Sequence, residues 1–132
     1  MNLLLDTHVW IWGILEPSRL SGRALSELER EEAVRWLSPI SVWETHLLVE
    51  RGRVQVAGTP AEWVDTAWAQ GACREAALTA EVALASRSLA LPTQDPADRF
   101  IAATALVNGF VLVTADRTLA RVPGIEVMDP TE

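Results

Sequence analysis

The sequence predicts a three-layer α/β/α fold, in which helices flank a central, mostly parallel sheet of four to five strands. Short, wholly apolar runs such as Leu3–Leu5 are typical of buried parallel strands. Longer amphipathic segments separate these runs, and strands that alternate with helices form parallel sheets covered on both faces. Ligands of such sheets bind at the carboxyl ends of the strands.

The first half of the chain predicts two strands and four helices. Polar capping residues precede the helical segments, and proline or glycine follows several of them. The segments in chain order are a strand at Leu3–Leu5, helices at Val9–Leu15 and Gly22–Arg30, a strand at Ala33–Leu37, and helices at Ser41–Arg51 and Thr59–Gly71.

The second half predicts the remaining strands and two further helices. Asp95-Pro96 combines a capping side chain with a proline, which is typical of a helix start. The segments are a strand at Cys73–Leu78, helices at Thr79–Leu89 and Asp95–Asn108, a strand at Phe110–Thr114, a short helical turn at Arg117–Arg121, and a last strand at Ile125–Met128. A chain of 132 residues without repeats or linkers is expected to form one domain, residues 1–132.

Composition excludes several classes of protein. The net charge is −7, and all 11 basic residues are arginine, so any binding of nucleic acid requires a local basic feature or bound cations. The absence of lysine excludes a P-loop ATPase. The single cysteine, Cys73, can form neither an internal disulfide nor a zinc site, which fits a reducing cytoplasm. No apolar run is long enough to cross a bilayer, and no signal peptide is recognisable.

Four acidic residues are predicted to meet at one edge of the sheet. Asp6 ends the first strand, and Asp116 follows the strand Phe110–Thr114. Glu44 lies in the first turn of the helix after the second strand, and Asp98 lies in the first turn of the helix that leads into Phe110–Thr114. Because that helix runs antiparallel to its strand, its start lies at the carboxyl edge of the sheet.

Each acid also has a purely structural interpretation. Asp6 fits a helix N-cap, Ser41 and Glu44 have the spacing of a capping box, Asp98 is favoured by the helix dipole, and Asp116 fits a turn. Two carboxylates ~5 Å apart repel by roughly 3 kcal/mol at an effective dielectric constant of 20. Four together would therefore take up protons or require a cation, and oxygen ligands favour Mg²⁺ or Mn²⁺ over zinc.

Four segments, LLLDTHVWIW, SPISVWE, DPADRFIAATA and LVTAD, resemble the signature blocks of PIN-domain ribonucleases, in particular the VapC-type toxins. The resemblance spans nearly the whole chain and implies a PIN-like fold. It implies that the following residues bind the metal and carry catalysis: Asp6, Glu44, Asp98 and Asp116. It further implies that Thr114 orients the acidic cluster and that Asp95 and Arg99 support it.

The implied activity is hydrolysis of RNA phosphodiester bonds with one or two Mg²⁺ or Mn²⁺ ions. The implied partners are the RNA substrate, a small cognate antitoxin that covers the acidic pocket, and a second copy in a homodimer. Operator DNA would be contacted only through the antitoxin, and no membrane is involved. The chain departs from the family pattern at Ala97, where an aromatic residue is common, and at Leu48, where a basic residue is common and the nearest bases are Arg51 and Arg53.

Three other functions fit parts of the sequence. These are a non-catalytic α/β module with a structural cation, a DNA structure-specific nuclease with the same acidic pocket, and a metal-dependent phosphatase. The phosphatase is disfavoured because Asp6 lacks a second acid two residues later and because lysine is absent. The small size of the chain, without a DNA-binding appendage, disfavours the DNA nuclease.

Several further residues carry expectations that the structure can test. His8 is a candidate general base, although a packed histidine is the commoner case. Arg99 and Arg117 are candidates to contact phosphate or to brace a carboxylate. The tryptophans divide into a group expected in the core and a group that could face a partner: Trp10, Trp36 and Trp43 in the first, and Trp12, Trp63 and Trp68 in the second.

Overall fold

A computed structural model describes all 132 residues and contains one sheet of five parallel strands. The strands are β1 Asn2–Leu5, β2 Val34–Leu37, β3 Arg74–Glu75, β4 Val111–Val113 and β5 Val127–Met128. Their order across the sheet is β3-β2-β1-β4-β5. The chain proceeds from β1 to β2 on one side, whereas β4 pairs with β1 on the other. The strand order therefore reverses between β1 and β4, which is where open α/β sheets form a ligand-binding crevice.

Six α-helices cover the sheet: α1 Thr7–Leu15, α2 Gly22–Glu29, α3 Pro39–Glu50, α4 Pro60–Gly71, α5 Ala80–Ser88 and α6 Pro96–Asn108. Each helix begins after a Ser, Thr or Asp whose side chain accepts a hydrogen bond from an amide at the helix start. Gly109, at a φ of +67°, ends α6 in the left-handed conformation that glycine adopts without strain. None of the helices combines the length and hydropathy needed to span a membrane.

Two hydrophobic clusters, one on each face of the sheet, confirm the predicted three layers. Alternate side chains of β1 enter different clusters, because successive residues of a strand point to opposite faces. Leu3 and Leu5 pack with residues of α1, α2 and α4, including Trp10. Leu4 packs with residues of α5, α6 and β4, including Ile101.

The start of α3 differs from the prediction. The helix begins at Pro39, and Ser38 is its N-cap, with its hydroxyl accepting a hydrogen bond from the Ile40 amide at 3.1 Å. Ser41 lies inside the helix, fully buried, and accepts a hydrogen bond from the Thr7 hydroxyl at 2.9 Å. The interpretation of Ser41 and Glu44 as a capping box is therefore wrong. Ser38-Pro39, a cap followed by proline at the first helical position, is the signal that marks this start.

The predicted strands at the sheet edges are shorter in the structure. The strand predicted at Cys73–Leu78 is reduced to Arg74–Glu75, and that predicted at Ile125–Met128 to Val127–Met128. Each of these edge strands pairs with only one neighbour, so fewer backbone hydrogen bonds extend it. The predicted helical turn is present as a 3₁₀ turn at Leu119–Arg121, and a second 3₁₀ turn at Pro17–Arg19 was not predicted.

Candidate active site

A cavity of about 1070 Å³ opens at the carboxyl ends of β1 and β4, where the strand order reverses. Its acidic end is lined by the four acids singled out in the sequence and by one neighbour: Asp6, Glu44, Asp98, Asp116 and Asp95. These residues come from four separate parts of the chain. The fold therefore brings the four predicted carboxylates to one cavity, at the edge where the parallel strands end.

Asp6 is held from two directions although it is almost completely buried, with 8% of its surface exposed. It caps α1, and its Oδ1 accepts a hydrogen bond from the Thr7 amide at 2.8 Å. Its Oδ2 accepts a hydrogen bond from the Thr114 hydroxyl at 2.7 Å. Burial raises the pKa of Asp6, and these two hydrogen bonds oppose the rise. Asp6 is thus both the predicted N-cap and a carboxylate fixed in orientation at the cavity.

Thr114 connects Asp6 to Asp116. Its buried hydroxyl donates to Asp6 and accepts a hydrogen bond from the Asp116 amide at 3.0 Å. Asp116 in turn accepts hydrogen bonds at Oδ1 from the amides of Thr118, at 2.8 Å, and Leu119, at 3.4 Å. The turn that was expected of Asp116 is present, and it fixes the carboxylate at the cavity wall.

Asp98 and Glu44 are the less constrained acids of the cavity. Asp98 lies in the first turn of α6, and burial raises its pKa to about 7, with the nearby charges of Asp95, Asp6, Asp116 and Glu44 adding to the rise. Burial is also the main cause of a raised pKa at Glu44, and the charge of Asp6 contributes. The charged forms of these acids are therefore disfavoured by their surroundings, a cost that a bound cation would relieve.

The donor set suits a hard divalent cation, because every charged ligand atom at this end of the cavity is a carboxylate oxygen. No three histidine, cysteine, aspartate or glutamate side chains have the spacing of a formed ion site. Repulsion between like charges favours such separation. Glu44 and Asp98 are only partly buried, whereas Asp6 is buried.

Arg99 does not line the cavity, and its predicted contact with phosphate or carboxylate is wrong. Its side chain is 7% exposed and donates hydrogen bonds to the carbonyls of Ser86, at 3.0 Å, and Leu91, at 3.1 Å. Arg99 thereby joins α6 to the end of α5. Consecutive helical residues point about 100° apart, which is why Asp98 faces the cavity and Arg99 does not. Arg117 is exposed and also lies outside the cavity lining.

The tryptophans agree with the prediction at Trp10 and Trp36 and differ from it at Trp43. Trp10 is buried as expected, and Trp36 is partly buried and stacks on Phe110 with ring centroids 5.0 Å apart. Trp43, expected in the core, is 49% exposed and lines the cavity beside Glu44. The three tryptophans that could have faced a partner are partly buried and pack against the core: Trp12, Trp63 and Trp68.

The cavity also has lining residues other than the acids, among them the candidate general base of the sequence analysis. His8 lines it and is exposed, with its ring 6.1 Å from that of Trp12. Three arginines also line it: Arg19, Arg51 and Arg53. The cavity is thus lined by acidic, aromatic and basic side chains.

Comparisons with known proteins agree with this architecture. Residues 3–125 match the family described as PIN domain. Ribonuclease VapC22 from Mycobacterium tuberculosis is 38% identical over 121 residues, which are 89% of this chain and 89% of that protein. VapBC2 from Rickettsia felis, solved bound to a DNA fragment from its promoter, is similar in fold, with a TM-score of 0.75 at 17% identity over 97% of this chain and 98% of that one. DNA-bound VapBC from Salmonella typhimurium gives a TM-score of 0.68 at 21% identity, over 98% of both chains. The chain therefore belongs to the PIN-domain family, and its identity with a VapC protein over most of both lengths places it in the VapC group.

Proposed function

We propose that the protein is a metal-dependent endoribonuclease that acts as the toxin of a toxin–antitoxin pair, with residues 1–132 forming one PIN domain. The observation that carries this proposal is the convergence of four sequence-distant carboxylates on one cavity at the carboxyl edge of the sheet. The relative named a ribonuclease supports RNA as the substrate. The catalytic and metal-binding residues we propose are Asp6, Glu44, Asp98 and Asp116.

The metal we propose is Mg²⁺, with Mn²⁺ as the alternative, because the donors are carboxylate oxygens. When bound, such an ion polarises the scissile phosphate and lowers the pKa of a water molecule, so that no side-chain nucleophile is needed. Asp6 and Asp116 are the firmest ligands in this proposal, since hydrogen bonds from backbone amides fix both carboxylates. The side chains of Glu44 and Asp98 are less constrained, and they would bind the metal through a water molecule or accept a proton from that water.

Three further residues support this arrangement in different ways. Thr114 fixes Asp6 Oδ2 through its hydroxyl. Asp95 caps α6, with its Oδ1 accepting a hydrogen bond from the Ala97 amide at 2.9 Å, and so determines where Asp98 stands. Arg99 supports the site indirectly by anchoring α6 to the carbonyls near the end of α5.

A small antitoxin is the partner we propose, because structures with this fold are described as VapBC complexes and as a toxin–antitoxin complex from Klebsiella pneumoniae. The antitoxin would cover the acidic cavity and would provide the contact with operator DNA. We also propose a homodimer, and action in the cytoplasm, where the RNA substrate is found.

Cleavage of a mixed cellular RNA pool by the purified, partner-free chain tests the proposal. We expect cleavage with Mg²⁺ or Mn²⁺, none with EDTA, and a loss of roughly 100-fold or more in Asp6→Asn and Asp98→Asn. Asp65→Asn, an exposed acid on α4 outside the cavity, is the matched control and should cleave like the wild type. Circular dichroism would establish that each variant is folded. Cleavage that persists in EDTA or in both cavity variants would contradict the proposal.

A further inference from the structure

Trp43 is the one tryptophan of the chain that leaves about half of its surface, 49%, exposed. It lies on α3 directly before Glu44, and both residues line the cavity. Aromatic or arginine partners lie against the rings of Trp10, Trp12, Trp36 and Trp63, but none lies against that of Trp43. An indole that is half exposed at a charged cavity, with no aromatic or arginine side chain over its ring, is available to stack on a ligand.

The surroundings of Trp43 indicate what kind of ligand fits. Leu47 follows it by four residues on the same face of α3, and Arg51 is the C-cap of this helix; both line the cavity. Eight residues of helix span ~12 Å, so Arg51, at the end of α3, lies well beyond Trp43 along the helix. Arg53, two residues after Arg51, lines the cavity as well.

The three arginines of the cavity differ in whether they form an ion pair within the chain. Arg19 is paired with Glu16 at 2.9 Å and lies 5.1 Å from the ring centroid of Trp12. Arg51 and Arg53 are exposed, and neither takes part in an ion pair of the chain. In a protein of net charge −7, two free guanidinium groups in the cavity form a local basic feature suited to phosphate.

We propose, on the basis of the ribonuclease function proposed above, that Trp43 stacks on an unpaired base of the RNA next to the scissile phosphate, while Arg51 and Arg53 bind phosphates on one side of that base. Proteins read single-stranded RNA by stacking splayed bases on aromatic side chains within a basic groove. Trp12 is less suited to this role because Arg19 already lies over its ring. A base within a duplex cannot splay onto Trp43, so the site selects unpaired RNA.

Fluorescence anisotropy with a labelled, unstructured RNA of about 12 nucleotides tests this proposal. The measurement uses the full chain with Mg²⁺ in an Asp98→Asn background, which prevents cleavage. We expect Trp43→Ala to raise the Kd by about tenfold and Trp43→Phe, which keeps an aromatic face, to raise it much less. Leu84→Ala, an apolar residue of α5 that is 76% exposed and outside the cavity, should leave the Kd unchanged.

A salt titration of the same complexes separates stacking from charge. Arg51→Ala and Arg53→Ala should each reduce the slope of log Kd against log salt concentration by about 0.7, the contribution of one phosphate contact to a single strand. Trp43→Ala should lower affinity without changing that slope. A duplex of the same sequence should bind weakly, with no dependence on Trp43.

An unchanged Kd in Trp43→Ala would overturn the proposal, as would a complete lack of RNA binding. A change in self-association of Trp43→Ala, seen by sedimentation with RNA affinity unaltered, would assign Trp43 to a protein contact and would overturn it too. Cleavage by the wild-type chain is scored separately. Binding that depends on Trp43 without any cleavage would mean that the stacking is correct and the nuclease function is wrong.

Discussion

At the scale of single residues, the site depends on one hydroxyl group. Thr114 donates to Asp6 Oδ2 and accepts from the Asp116 amide, so it fixes the relative positions of the two strand ends that carry the proposed ligands. Positioning groups of this kind typically affect metal affinity or activity by 10–100-fold when they are lost. Thr114 should therefore matter for activity although it contacts no substrate.

Thr114→Val should reduce kcat/KM for RNA by roughly 10- to 100-fold, because valine keeps the volume of threonine but cannot hold Asp6. The concentration of Mg²⁺ needed for half-maximal activity should rise as well. Steady-state kinetics at several concentrations of Mg²⁺ would measure both effects.

Thr104→Val is the control for that substitution. Thr104 is equally buried, and its hydroxyl donates to the Phe100 carbonyl at 2.7 Å within α6. A similar loss of activity in both variants would attribute the effect to general destabilisation of the fold.

At the scale of secondary-structure elements, the start of α3 is the feature that local sequence defined least well. Ser38 and Ser41 are both of a residue type that commonly caps helices. Only Ser38 is followed by proline, and only Ser38 caps the helix. The burial of Ser41 against Thr7 is a tertiary contact between segments 34 residues apart. The pattern of residues close to the start of a helix carries no information about a contact with a distant segment.

Ser38→Ala should lower the free energy of unfolding by about 1 kcal/mol, because the Ile40 amide loses its acceptor. Ser38→Gly should cost only a few tenths of a kcal/mol, since glycine is tolerated at an N-cap. Urea denaturation monitored by circular dichroism would measure both. Equal stability of Ser38→Ala and the wild type would show that α3 does not depend on this cap.

The sequence predicted the order of the elements, the parallel sheet and the arrival of four acids at one edge, because these follow from strand–helix alternation and chain direction. It did not predict which way adjacent helical side chains point. Asp98 and Trp43 both line the cavity, whereas Arg99, next to Asp98, is buried away from it. Rotation of a helix about its axis is determined by packing against the sheet, and α3 in particular has no clear apolar stripe from which to read it.

At the scale of the whole molecule, the acidic cavity opposes folding near neutral pH. The pKa of Asp98 is raised to about 7 from its ordinary value of 3.8, so the folded state binds a proton that the unfolded chain has already released. Asp6 and Glu44 have pKa values raised in the same direction. The contribution of these protonated groups to the free energy of unfolding is fully present below about pH 4 and is lost as the pH rises toward 7.

In EDTA, the melting temperature of the wild type should therefore fall between about pH 4 and pH 7, and Asp98→Asn should flatten that fall because its amide does not titrate. Differential scanning fluorimetry across this range would measure the effect, with Asp65→Asn as the control for loss of one exposed acid. Adding Mg²⁺ at pH 7 should raise the melting temperature of the wild type more than that of Asp98→Asn. Parallel pH profiles for the wild type and Asp98→Asn would contradict this account.

The double role of Asp6 has a practical consequence for anyone who produces this protein in living cells. A chain that degrades RNA selects against its own host, so recombinant expression depends on a harmless version that keeps the native shape. Because Asp6 also caps α1, Asp6→Ala would remove the cap together with the charge, whereas Asn is as good a cap as Asp. Asp6→Asn is therefore the substitution to choose for an expressible, correctly folded stand-in, for instance as bait in the search for its antitoxin.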